Sequence, residues 1–167
     1  MARAPATAAS GLQFMVEQIA ELFGVEQVVL RAEQDLAART NDSDFRTHLE
    51  QFVREDQQHV ENLRQALRMM IGNETGAQSS IDRGRKLAEA ALAASQDTAY
   101  RFIRSLLLLI YQSAMDGRVF MQVQQCLENR EIIGLLETNH HEDETHLKYL
   151  ESQVIRAAEE LCGLVGR

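Results

Sequence analysis

Hydrophobic positions recur along this chain at alternating steps of three and four, the spacing that lines one face of an α-helix. From about Gly11 to Arg39 the stripe runs Leu12, Met15, Ile19, Leu22, Glu26, Val29, Glu33, Leu36, which predicts a long first helix. The polar cluster "TNDSD" at 40–44 interrupts it, offers several N-cap residues and is short enough to make an antiparallel hairpin. A second and more regular stripe follows at once: Phe45, Leu49, Phe52, Asp56, His59, Leu63, Ala66, Met70.

Two glycines in "IGNETGAQSS", at 71–80, end that helix, and "IDRGRKLAEAALAAS" predicts a short amphipathic helix inside a long connection. A third helix, from about Asp97 to Leu127, carries Phe102, Leu106, Leu109, Ser113, Asp116, Phe120, Val123 and Leu127. After a turn near "ENR", at 128–130, a fourth carries Ile133, Leu136, His140, Asp143, Leu147, Leu150, Val154 and Ala157. Two antiparallel hairpins joined by a long crossover predict an all-α four-helix bundle, one domain over 11–167 behind a loose tail at 1–10. Gly117 in mid-helix costs about 1 kcal/mol against alanine, which close packing or the approach of a ligand would offset.

Composition agrees with the periodicity. Pro5 is the only proline, there is no tryptophan, and 45% of the 167 residues are apolar, an ordinary globular balance. The net charge of −8 disfavours nucleic acid and anionic membrane surfaces, which need clustered cations to neutralise phosphate. The longest apolar run, "LLLLIY" at 106–111, is far short of the roughly 20 residues that cross a bilayer. "MARAPATAAS" lacks the apolar stretch of a secretory signal, and Cys126 and Cys162 stand apart without a Cys-x-x-Cys clip. These features predict a cytoplasmic protein with reduced thiols.

The acids change the picture. Each stripe is apolar except near its middle, where it holds Glu26, Asp56, Asp116 or Asp143. Glu26 and Asp56 lie equally far from the first turn at Asn41, and Asp116 and Asp143 equally far from the second to within a residue, so all four should converge at one level. Converging carboxylates suffer desolvation and mutual repulsion. No Lys or Arg occupies a stripe, so the compensating cation must come from outside the chain, and two divalent ions would balance four carboxylates. His59 follows Asp56 by three and His146 follows Asp143 by three, which puts an oxygen and a nitrogen donor on one helical face. That mixture suits iron, manganese or zinc better than magnesium or calcium.

Other assignments stay open. A stripe turned by one residue would point Glu55 and Glu142 inward instead, and the acids could also be protonated, hydrogen-bonded or turned to water. Glu33 falls on the first stripe, but near the hairpin end, where water, Arg46 or His48 could satisfy it. His140 and His141 point about 100° apart, so at most one faces the core. Tyr111, one turn above the acids, is either a donor to the site or a core aromatic.

With Glu26, "EDQQH", Asp116 and "EDETH", the chain resembles the ferritin-like di-iron carboxylate superfamily, whose pattern is a Glu on each first helix and Glu-x-x-His on each second. The stretch "EQVVLRAEQDLAARTNDSDFRTHLEQFVRED" resembles small rubrerythrin-like and stress-associated bacterial members. The resemblance implies a ferritin-like fold and a non-haem di-metal centre, with ferroxidase or peroxide-scavenging activity toward oxygen or peroxide in oxidative stress. The chain departs from the pattern by carrying Asp at three of the four acid positions, and in the stress-associated subgroup the third-helix acid would fall nearer Ser113. Two further outcomes stay in view: a metal-free helical scaffold or dimerisation module of the same fold, and a hemerythrin-like iron protein using the adjacent histidines. A homodimer is expected, since the short, partly polar crossover helix leaves an apolar edge to cover.

Overall fold

In the computed structural model, which describes residues 8–94, 98–123, 127 and 129–164, every regular element is helical, as the periodicity predicts. The elements are α1 (Ala8–Arg39), α2 (Ser43–Ile71), a short 3-10 turn (Glu74–Ala77), α3 (Gln78–Ala93), α4 (Ala99–Val123) and α5 (Arg130–Leu161). α1 begins inside the segment expected as a tail; positions 1–7, Cys126 and Glu128 lie outside the described residues. None of the helices is long and apolar enough to cross a membrane among the described residues.

Of the polar cluster at 40–44, Asp42 is the residue that starts α2. Its side chain accepts from the backbone N–H groups of Asp44 and Phe45 at 3.0 Å each, satisfying donors that a helix N-terminus leaves free. Arg156 of α5 reaches the same carboxylate at 2.8 Å, so this turn is tied to the far end of the chain. Asn129 caps α5 in the same manner through Glu131 and Ile132.

α1 packs on α2 and α4 on α5, and the ring closes through α2 with α5 and α1 with α4. α3 lies outside that ring along α1 and also touches α4. Its contact with α1 is backbone on backbone: a Cβ on Gly84 would sit 1.9 Å from the Glu21 carbonyl oxygen, and one on Gly24 2.1 Å from that of Ile81. Only residues without side chains permit such an approach.

Four cross-helix pairs set the register of α2 against α5. Phe52 meets Tyr149 edge-on at 5.6 Å, Glu55 meets His146 at 2.6 Å, His59 meets Glu142 at 2.7 Å and Asn62 meets Asn139 at 2.7 Å. Each step up α2 is matched by an equal step down α5, the signature of antiparallel neighbours. The buried asparagines are mutually satisfied: Asn62 donates to Asn139, Asn139 donates to the His59 carbonyl at 3.2 Å, and Gln58 donates to Asn62 at 2.8 Å.

The interior divides into two apolar clusters. One gathers Val29, Leu36, Leu49, Phe52, Leu106, Ile110 and Leu150, and the other Met15, Ile19, Phe23, Leu63, Leu67, Phe120 and Leu136. The predicted stripes are buried on α1 from Met15 and on α2 through Ala66; Leu12 is exposed, Leu67 rather than Met70 fills the far end of the α2 face, and Asp116 and Val123 on α4 and Ile133, His140, Val154 and Ala157 on α5 are only partly buried. Between the clusters lies a layer of buried polar side chains.

Candidate metal centre

Glu26 and Glu33 of α1 are seven residues apart, two helical turns, and so share a face. α2 contributes Asp56 and His59, and α5 contributes Asp143 and His146. All six are buried, at 0–4% exposure, in a molecule whose buried polar residues include no Lys or Arg among the described residues.

The two imidazoles are mounted alike. His146 Nε2 lies 2.6 Å from the Glu55 carboxylate and His59 Nε2 2.7 Å from that of Glu142. A carboxylate accepts, so Nε2 carries a proton in both rings, and in the neutral imidazole Nδ1 is the nitrogen left to accept. Both Nδ1 atoms are buried without a hydrogen-bond partner. His59 Nδ1 faces Asp56 at 3.4 Å, Asp143 at 3.5 Å and Glu26 at 4.0 Å; His146 Nδ1 faces Asp56 at 3.5 Å. Phe52 stacks on His146 with centroids 3.9 Å apart, fixing the ring from the apolar side.

None of these approaches is a hydrogen bond. Donors held about 2.1 Å from one ion lie roughly 3.0–3.4 Å apart, so the donor atoms would draw together to seat one. Two groups have donor atoms within 4.8 Å of one another: Glu26, Asp56, His59 and Asp143, and Glu33, Asp56 and His146. The buried carboxylate and histidine groups could therefore hold a metal ion.

Electrostatics point the same way. Burial raises the carboxyls of Glu26, Asp56 and Asp143 above their ordinary range, and the neighbouring acids push Asp56 and Asp143 further. Glu33 rises to about 8: burial pushes it up, a hydrogen bond with Asp56 offsets part of the rise, and the charges of Glu26 and Glu55 add to it. His146 falls to about 4 because burial disfavours the imidazolium more than its bond to Glu55 favours it. Glu55 behaves oppositely. Partial burial opposes its charge, but the bonds from His146 and Gln51 outweigh that and hold it below the usual carboxylate range.

Five of the acids and histidines expected at the centre are brought together: Glu26, Asp56, His59, Asp143 and His146. Glu55 and Glu142 stand on the outer side of the histidine rings, partly exposed, while Asp56 and Asp143 face inward. Asp116 is in neither donor group. It is half-buried, its carboxyl raised to about 6 by burial and then by Glu21 and Glu26. The inward face of α4 passes instead through Ser113 and Gly117, and a Cβ on Gly117 would meet His140 at 2.9 Å. Packing of α5 over Gly117 therefore turns Asp116 to the edge. Tyr111, expected at the core, is 52% exposed.

Glu33 is the residue that the stripe located and the hairpin distance misjudged. Arg46 bonds the Thr40 carbonyl and His48 bonds that of Asp44 while stacking on Tyr149, so neither compensates it. The outward pairing of Glu55 and Glu142 left a weaker trace, the matched "ED" before each histidine spacing. No protein-family model matches the chain, and no curated protein or solved structure matches it either.

Proposed function

We propose that this protein is a ferritin-like four-helix bundle that binds transition-metal ions in its core, iron foremost with manganese or zinc as alternatives, and turns them to oxidation chemistry with oxygen or peroxide. One observation carries the metal reading: two buried imidazole nitrogens without hydrogen-bond partners converge on the buried carboxylates of Glu26, Asp56 and Asp143, with no buried Lys or Arg among the described residues. Leaving such groups unmatched costs roughly 1–3 kcal/mol each, more where they are charged. Mixed carboxylate and imidazole donors select first-row transition metals.

The chain's own residues have separable tasks in this reading. Glu26, Asp56 and Asp143 supply negative charge and oxygen donors, and His59 and His146 supply nitrogen. Glu55 and Glu142 hold the proton at Nε2 of each ring, fixing the tautomer that directs a lone pair inward. The apolar clusters on either side keep bulk water away. Bound iron with exchangeable positions supplies electron transfer to oxygen or peroxide.

Ser113, in place of an acid on α4, favours a second reading in which the fold is kept as a metal-free scaffold. Metal analysis of the purified protein, and of protein incubated with Fe(II), Mn(II) or Zn(II), separates the two. The metal reading predicts bound ions at stoichiometric level and faster Fe(II) oxidation in air than buffer alone. Metal at background in both preparations leaves the scaffold.

A further inference from the structure

A cavity of about 290 Å³, partly open to solvent, lies where the α1–α2 turn meets the start of α4 and the end of α5. None of the carboxylates or imidazoles of the candidate metal centre lines it. Leu36, Phe45, Phe102 and Ile103, all members of the first apolar cluster, form its floor. We propose that this cavity binds a monocarboxylate with an apolar body of about ten carbon atoms, its headgroup held at the mouth by Arg39 and Arg156.

Size limits the guest. A cavity of about 150 Å³ lined by aliphatic and aromatic side chains takes up one benzene ring, so this one has room for two fused rings or a chain of similar bulk. The floor desolvates such a body and offers nothing to a second polar group sunk with it, which would go unmatched.

The mouth sets the headgroup. Arg39 lies over the Phe102 ring at 5.6 Å and donates its Nε–H to the Asp35 carbonyl at 3.1 Å. Arg156 holds Nη1 2.8 Å from Asp42 and Nε 3.4 Å from Glu160. Nη1 of Arg39 and Nη2 of Arg156 are left with no bond to the described residues. The acids at the mouth are less free: Asp42 already accepts from the N–H groups of Asp44 and Phe45 and pairs with Arg156. A cationic headgroup would therefore meet two guanidiniums and an acid already engaged, whereas a carboxylate finds charge-assisted donors.

The test uses the chelator-treated full-length chain, so its result is independent of the metal reading. The chain has no tryptophan, which leaves the emission of 2-naphthoate free to report binding, and decanoate is titrated alongside by calorimetry. Saturable uptake of one equivalent is expected; 2-naphthoate alone identifies a ring body, decanoate alone a chain, and either supports the proposal. The uncharged counterparts, 2-naphthol and decanol, should bind about tenfold more weakly. Ala157→Phe, which puts a ring into the cavity, should remove binding. Arg39→Gln, carried with it in case one variant does not fold, should erase the preference for the carboxylate and leave helix content unchanged. No saturable binding of either carboxylate, an uncharged counterpart that binds as tightly, or folded variants that bind as the wild type does would overturn the proposal.

Discussion

Glu55 on α2 accepts a 2.6 Å hydrogen bond from Nε2 of His146 on α5, and the mirror pair, Glu142 with His59, closes the same interface from the other side at 2.7 Å. Neither glutamate faces the donor cluster, yet each decides which nitrogen its histidine presents there. Glu55→Ala should leave helix content unchanged and weaken Zn(II) affinity about 10–100-fold, the usual cost of removing a partner behind a metal-bound histidine. Competition against a chromophoric chelator reads the change. An unaltered Kd would mean that the pair serves only to join the helices.

Asp56 and Asp143 should destabilise the metal-free chain. Exchanging buried charged groups for apolar residues of similar size is often neutral or stabilising, by about 1–4 kcal/mol. In a chain of this length each kcal/mol moves the melting temperature about 2–4 °C. The double variant Asp56→Leu, Asp143→Leu should accordingly melt above the chelator-treated wild type while binding no Zn(II). A lower melting temperature would show that these acids stabilise the fold without metal.

The pH dependence of the metal-free chain has a definite sign above pH 6.5. Glu33 keeps its proton in the fold to about 8, against an ordinary value of 4.5, so the folded chain holds an extra proton across that window and rising pH favours unfolding. Asp116 acts the same way up to about 6. His146 opposes them only below 6.5: it stays neutral in the fold down to about 4 while the unfolded imidazole takes up a proton, so stability falls as pH drops through that range. The urea midpoint in chelator should therefore be lower at pH 8 than at pH 6.5. With Zn(II) bound the order should reverse, since binding requires the ionised acids. Equal midpoints without metal would contradict the burial of Glu33.

Gly84→Ala places a Cβ against backbone, 1.9 Å from the Glu21 carbonyl oxygen, where no side-chain rotation relieves it. A loss of about 1–3 kcal/mol is expected, with α3 lifting from α1. Chemical denaturation gives the size of the loss, and hydrogen exchange should show it concentrated in α3 and the facing turns of α1. A variant as stable as the wild type would mean that the two helices do not touch there.

How far the sequence spoke depended on the helix. The α2 stripe is buried as spaced from Phe45 to Ala66, because each of its inward positions meets another helix. On α4 the same spacing holds at Ser113 and Phe120, but between them Gly117 rather than Asp116 faces inward, where its missing side chain admits His140. Glu33 was on its stripe, but its burial follows from where Arg46 and His48 reach, which periodicity does not encode. The pairing of Glu55 with His146 was hidden for a related reason, since it exists only once α2 and α5 are in register.

The most direct measurement is a crystal structure of the metal-loaded protein with anomalous data collected at the absorption edge of the bound ion. The account predicts a peak in the interior about 2.0–2.2 Å from Nδ1 of His59 and from oxygens of Asp143 and Asp56, with Glu55 and Glu142 still bonded to the outer nitrogens. Ions found only at surface carboxylates, with His59 and His146 turned to other partners, would contradict it.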